Sequence, residues 1–203
     1  MSTVTIIGAG NMGSAIAWRV VAGGNDAQVL TREPVKVAIP GAKHGTVGDP
    51  IAGDIVVLAL PYGAVPEVLG QYEGQLDGKV LVDLTNPLDF ATFDSLVVPV
   101  GSSAAEVIAQ SVPGASVLKA FNTTFAATLS TGEVGSERTS VLIAGDDTDA
   151  KEALAAVVEA GGLRAVDAGS LKRAHELEAL GFLQLTLAAA EKTSWTGGFG
   201  LTA

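Results

Sequence analysis

The sequence predicts a doubly wound α/β fold with a mainly parallel sheet, followed by a short α/β C-terminal extension ending in a long buried helix. Three observations predict it. Short runs rich in Val, Ile and Leu recur along the chain, stretches of helical spacing separate several of them, and a glycine-rich turn joins the first run to the first helix. Such runs read as strands buried on both faces, and their alternation with helices reads as parallel β-α-β units.

In order, "TVTII" at residues 3 to 7 is the first strand, and Ile16 and Val20 mark the helix over 11 to 22. "AQVL" (27 to 30), "DIVVLAL" (54 to 60), "KVLVDL" (79 to 84) and "SVLKAF" (116 to 121) supply further strands. "SVLIA" (140 to 144) and "RAVDA" (164 to 168) supply the strands of the extension. Between Glu33 and Pro50 periodicity is poor, which predicts a trimmed unit with little room for a full second helix and third strand. "SAAE", Ser103 to Glu106, is a capping box opening a helix over 103 to 111; its hydroxyl and its carboxylate are each expected to satisfy a backbone N–H. A further helix is expected over 149 to 160, with Asp146, Asp147 and Asp149 favouring its N-terminus. From Leu171 the pattern is amphipathic and then apolar nearly all round from Leu180, as for a helix covered by the domain or, preferably, by a second subunit. Residues 1 to 120 are expected to form the nucleotide-binding unit and 121 to 203 an acceptor-binding and dimerisation region.

The first strand runs into Gly8-x-Gly10-x-x-Gly13, with Asn11 and Met12 between the glycines. A strand, this glycine spacing and a helix form the Rossmann dinucleotide fingerprint: the turn is tight, the backbone can approach a pyrophosphate, and the helix N-terminus favours its charge. An NAD-preferring chain places an acid at the end of the second strand. Here Thr31 and Arg32 stand there, a hydroxyl and a guanidinium that suit the 2′-phosphate of NADP(H). Glu33 opposes that reading if the strand end is displaced by one residue, and Lys36, Lys43 and His44 could add positive charge. By the switch-point rule, Leu60, Pro61 and Tyr62 after one strand and Asn86 and Pro87 after the next border the cofactor crevice.

Composition narrows the alternatives. With twelve Lys and Arg against 22 Asp and Glu, the formal net charge is -10. Long-range repulsion therefore disfavours nucleic acid and anionic membrane surfaces as partners. Zero cysteines exclude disulfides, thiolate nucleophiles and Cys-ligated metals, and suit a reducing cytoplasm. No apolar run reaches the length of a membrane span, and no signal peptide is legible. His44 and His175 are far apart in sequence and lack metal-ligand spacing, so no metal site is expected.

Taken together, "IIGAGNMGSAI", "VDLTNPL", "SSAAEVIA", "VLKAFNTTFA", "VLIAGDD", "AVDAGSLKRAHELEALGFLQL" and "TGGFG", in this order, resemble the NADPH-dependent coenzyme F420 reductases and related dinucleotide-binding oxidoreductases. The resemblance implies an N-terminal Rossmann domain for NADP(H), a deazaflavin (F420) docked against the nicotinamide by the later segments, and a homodimer. Hydride transfer between two stacked rings asks the protein for position and electrostatics more than for a side-chain acid.

On that reading Asn122, Thr123 and Thr124, just past a strand, position the acceptor by hydrogen bonds; capping of the next helix is the plainer role for them. Lys172 and Arg173 could meet an acidic coenzyme tail, and Trp195 offers a stacking platform. Lys119 and His175 are the weak candidates for proton transfer. The rival readings are an imine reductase of the pyrroline-5-carboxylate type and a non-catalytic NADP(H)-binding sensor.

Overall fold

The computed structural model describes residues 1 to 32 and 38 to 202. Eight strands form one sheet: β1 (Thr3–Ile7), β2 (Asp26–Thr31), β3 (Ala42–Thr46), β4 (Ile55–Leu58), β5 (Val80–Asp83), β6 (Ser116–Lys119), β9 (Ser140–Gly145) and β10 (Arg164–Gly169). A separate two-stranded hairpin contains β7 (Glu133–Val134) and β8 (Glu137–Arg138). The spatial order is β10-β9-β6-β5-β4-β1-β2-β3. The first six strands are parallel, β9 runs antiparallel to β6, and β10 lies parallel to β9. The sheet is therefore continuous across residue 120, and its strand order reverses between β1 and β4, where the carboxyl ends of neighbouring strands open a crevice.

Helices cover both faces. On one lie α1 (Asn11–Ala22), α4 (Ala126–Thr131) and α5 (Thr148–Ala160), packed on Val4, Ile6, Val29 and Val57. On the other lie α2 (Val65–Gln71) and α3 (Ala104–Ser111), packed on Ile7, Val56, Leu58 and Leu81. Central strands that meet apolar layers on both sides have no polar face, which is why β4 reads "IVVL" and is buried throughout. Arg19 of α1 joins the early and late parts of the chain, donating to the carbonyls of Leu129 (2.6 Å), Ser130 (2.7 Å) and Gly161 (3.1 Å).

The short unit after β2 does deliver a third strand. β3, "AKHGT", pairs in full register with β2, yet it is an edge strand with no apolar run, so hydrophobic pattern could not reveal it. Among the described residues no helix lies between β2 and β3. Asp147 caps α5 by accepting from the Ala150 N–H (3.0 Å), and Asp146 accepts from the Leu171 N–H (3.0 Å), so the acidic run serves helix and turn ends.

The last helix, α6 (Ala174–Ala189), follows a 3-10 turn at Leu171–Arg173. It buries Leu177, Glu178, Gly181, Gln184 and Ala188 against the domain, while Leu183 on its outer side is 49% exposed. Its inner face thus carries two polar side chains and a glycine where an ordinary core helix would carry Leu or Ile. Those three residues lead to the site.

Candidate active site

Gly8 holds φ +112 and donates its N–H to the Leu30 carbonyl (2.8 Å), bending the chain from β1 into α1. A methyl group at Gly8 would meet the Ala59 carbonyl, and one at Gly13 would sit on the Gly8 carbonyl oxygen. Gly10 is the N-terminal cap of α1 and no acidic side chain occupies the first turn, so the free N–H groups face whatever enters. A backbone stripped of side chains at the start of an uncapped helix fits a pyrophosphate.

At the end of β2, Arg32 pairs with Glu67 at the start of α2 (2.8 Å), and both side chains are more than half exposed. Such a pair is worth about 0 to 1 kcal/mol, so a doubly charged phosphate can displace the carboxylate. Thr31 ends the same strand. Glu33 and Lys36 lie outside the described residues. Lys43 and His44 lie on β3 short of its carboxyl end, and His44 Nε2 accepts from the Ile39 N–H (3.2 Å). They are therefore not gathered around Arg32.

The crevice beyond the glycine turn has a volume of about 460 Å³. It is lined by Asn11 and Met12 at the glycine turn, by Leu60, Pro61, Tyr62, Leu84, Thr85, Asn86 and Asn122 after the strand ends, and by Phe90, Thr124, Phe125, Gly181, Gln184, Leu185 and Trp195. Burial, followed by the nearby charges of Glu178 and Asp83, raises the Tyr62 phenol above its ordinary value of 10.0. Phe125 and Trp195 form a tilted aromatic pair with centroids 5.1 Å apart.

The two strand-end asparagines are locked together. Asn86 Nδ2 donates to the Asn122 carbonyl (2.9 Å), and Asn122 Nδ2 donates to Asn86 Oδ1 (2.9 Å) and to the Leu177 carbonyl of α6 (2.8 Å). Phe121, buried and at φ +66, turns the chain so that Asn122 faces inward; a left-handed aromatic residue is a conformation held by its surroundings. Thr124 lines the crevice while its hydroxyl donates to the Phe121 carbonyl (2.7 Å). Thr123 is buried beside it but outside the wall, and Pro87 is too, its carbonyl accepting from the Val97 N–H (2.7 Å).

Behind this wall lies a buried ionic cluster. Lys119 Nζ sits 2.7 Å from Asp83 Oδ2 and 2.8 Å from Glu178 Oε1, and donates to the Thr85 carbonyl (2.5 Å), all without solvent exposure. Glu178 also accepts from the Ala104 (3.0 Å) and Ala105 (3.4 Å) N–H groups at the start of α3. The capping box is accordingly half realised. Ser103 accepts from the Glu106 N–H (3.1 Å), but the Glu106 carboxylate takes the Ser102 and Ser103 hydroxyls, while Glu178 from α6 takes the next two N–H groups of the helix end. Desolvation raises the Glu178 carboxyl above its ordinary value of 4.5, opposed by the Lys119 ammonium.

Three of the expected positions stand apart from the crevice wall. Lys119 is enclosed by its partners and does not line the crevice. His175 Nδ1–H donates to the Ser102 carbonyl (3.1 Å) and is not in the wall. Lys172 and Arg173 stand at the foot of α6, roughly 16 Å from Gln184 along the helix at 1.5 Å per residue, and Arg173 pairs with Glu176 (3.0 Å). Conversely, pattern reading missed Thr85, Phe90, Phe125, Gly181 and Gln184. One signal was available: Gln184 is an amide set among "GFLQLTLAAA", and a polar residue at a buried helical position usually has a partner.

A doubly wound sheet, a glycine turn at its switch point and an aromatic-walled crevice beyond it define a dinucleotide-binding oxidoreductase. Residues 3–87 match the model of the coenzyme F420-dependent NADP oxidoreductase family. An F420-dependent NADP reductase of Methanocaldococcus jannaschii is 30% identical over 174 residues, covering 84% of this chain and 77% of its own. A metalloreductase, STEAP3, of Rattus norvegicus is 31% identical over 180 residues, covering 87% of this chain; the chain spans 36% of that protein's length. A solved structure from Arthrobacter sp. FB24, a candidate F420-dependent NADP reductase, superposes with a TM-score of 0.84 at 25% identity over the whole of both chains. The chain belongs to the coenzyme F420-dependent NADP oxidoreductase family, and it is an NADP-dependent oxidoreductase. No helix among the described residues is long and apolar enough to cross a membrane.

Proposed function

We propose that this protein exchanges a hydride between NADP(H) and a deazaflavin coenzyme or a similarly flat acceptor. The observation that carries the reading is the two-sided crevice: one wall belongs to the dinucleotide turn and strand ends, the other to α6 and the aromatic pair Phe125 and Trp195. When bound, the reduced nicotinamide supplies the hydride, and the chain's contribution is placement. Gly8, Gly10 and Gly13 admit the pyrophosphate, Arg32 and Thr31 hold the 2′-phosphate, and Leu60, Pro61 and Tyr62 border the nicotinamide ribose. Asn86 and Asn122 fix the floor on which two rings stack, while Phe90, Phe125 and Trp195 exclude water. Among the described residues of the wall Tyr62 is the one ionisable side chain, which suits an acceptor carbon that takes hydride without a carboxyl or ammonium group aimed at it. An imine acceptor would want an acid; Lys119 is held by its partners, which leaves the Tyr62 phenol as the candidate for that rival reading.

The half-exposed outer face of α6, with Leu180, Phe182, Leu183 and Leu187, supports a homodimer built on this helix. The cysteine-free composition suits a cytoplasmic enzyme. The deciding assay mixes protein, NADPH and oxidised deazaflavin and follows loss of the deazaflavin's visible absorption, with flavin and pyrroline-5-carboxylate as comparison acceptors. Demonstrated NADPH binding without bleaching would refute the reading, and turnover of pyrroline-5-carboxylate alone would replace it.

A further inference from the structure

Among the described residues four buried side-chain polar atoms lack a protein partner, and three of them belong to residues of one crevice: Thr85 Oγ1, Asn122 Oδ1 and Gln184 Oε1. The three residues are 2%, 4% and 2% exposed. Buried polar groups are ordinarily paired, so this clustering marks a place where a ligand supplies the missing partners. Asn122 cannot be turned to relieve its oxygen, because its nitrogen already faces two acceptors, Asn86 Oδ1 and the Leu177 carbonyl.

The orphans divide by location. Thr85 and Asn122 follow strands β5 and β6 on the sheet side. Gln184 stands on α6 and lines the crevice with Phe125, Leu185 and Trp195. Gly198 of the C-terminal tail passes over its amide, and even a methyl group there would be in van der Waals contact, 3.6 Å from both Oε1 and Nε2. Gln184 is therefore a planar donor-acceptor group set among the crevice's aromatic residues.

We propose that Gln184 reads the edge of the second ring. Its carboxamide pairs with adjacent N–H and C=O groups of that ring, the cyclic imide of a pyrimidinedione. Two parallel hydrogen bonds of this kind form whichever way the amide is turned, and they select a flavin-like or deazaflavin-like heterocycle over a quinone or an imine, neither of which has an imide N–H. The proposal rests on the reading that the crevice takes a flat acceptor, and it adds which chemical edge is recognised. Gln184 is thus a specificity-determining residue, with Thr85 left for the nicotinamide carboxamide.

The test is equilibrium binding without turnover. Protein saturated with NADP⁺ is titrated with oxidised deazaflavin and with its N3-methyl derivative, following fluorescence quenching, in the native chain and in Gln184→Leu and Gln184→Met. The native chain should prefer the N3–H probe by roughly tenfold or more, from two hydrogen bonds formed out of water's reach. Both variants should lose that factor for the N3–H probe and bind the methylated probe as the native chain does. Unchanged NADP⁺ affinity reports an intact fold in at least one variant. Equal weakening of both probes, or weakening of neither, overturns the role of Gln184 while leaving the acceptor site standing. Failure of both probes to bind the native chain overturns both.

Discussion

Replacing Lys119 by Met tests whether the buried ionic cluster holds the site wall. The ammonium lies within 2.8 Å of two carboxylates that see no solvent. Removing it leaves Asp83 with only its bond to the Thr85 N–H (2.8 Å), and Glu178 with the two N–H groups of α3. Breaking a buried ion pair costs about 3–5 kcal/mol, a large share of the roughly 5–15 kcal/mol that holds a domain together. Glu178 can limit the loss by taking up a proton, which its raised pKa favours, so the penalty should be larger at pH 8 than at pH 5.5. With a loss of about 4 kcal/mol and a urea m-value of about 2.5 kcal/mol per molar, the midpoint falls by about 1.6 M. Far-ultraviolet circular dichroism across a urea series at both pH values measures it. A midpoint shift at pH 8 below roughly 0.4 M, equivalent to about 1 kcal/mol, would refute the claim that three charges are mutually stabilised there, and an equal shift at both pH values would refute the role given to Glu178.

Arg32→Ala should weaken NADPH by roughly tenfold or more, the loss of a charge-assisted phosphate contact, and leave NADH nearly unchanged; titration by nucleotide fluorescence decides, and equal losses would remove Arg32 from the phosphate site. Asn122→Ala should lower turnover by roughly tenfold or more through misplaced rings, with NADPH affinity nearly unchanged, and collapse of NADPH binding alone would assign Asn122 to the other ligand. Glu178→Gln should change the pH dependence of stability. A carboxyl raised on folding stabilises fully below its ordinary value of 4.5 and loses that contribution as pH rises through the folded value. The variant should therefore gain stability relative to the native chain from about pH 4.5 upward, and a flat difference curve from there to pH 8 would refute it. Ser103→Ala should cost about 1 kcal/mol of stability for the lost cap at α3, read as a urea midpoint shift.

Much of the framework was legible because its signals are local. Gly8 and Gly13 show their constraint in the sequence since a turn needs them whatever packs around it, and β4 reads as a strand because it is apolar on both sides. Edge strand β3 was missed for the converse reason: "AKHGT" is held by backbone hydrogen bonds to β2, which leave no mark on side-chain choice. The crevice was half visible. Leu60, Tyr62, Asn86 and Asn122 could be placed by the switch-point rule, which follows from strand order. Gln184 and Gly181 could not, because their meaning depends on α6 returning beside the ends of β5 and β6, far earlier in the chain. The pull of Lys119 as a proton donor came from its residue type, and only the three-dimensional neighbourhood reveals that its proton is already spoken for.

Gly181 sets a dimension. A side-chain carbon at that turn of α6 would collide with Asn86 Oδ1 and come within 2.9 Å of the Asn122 carbonyl and 3.0 Å of its amide nitrogen. The helix can lie as close to the sheet as it does only because that carbon is missing, so the width of the slot is calibrated by an atom that is not there. Each increment of bulk at this position would act as a shim, prising α6 from the two asparagines at the strand ends. Relatives or engineered variants that accept thicker substrates could be tuned here first.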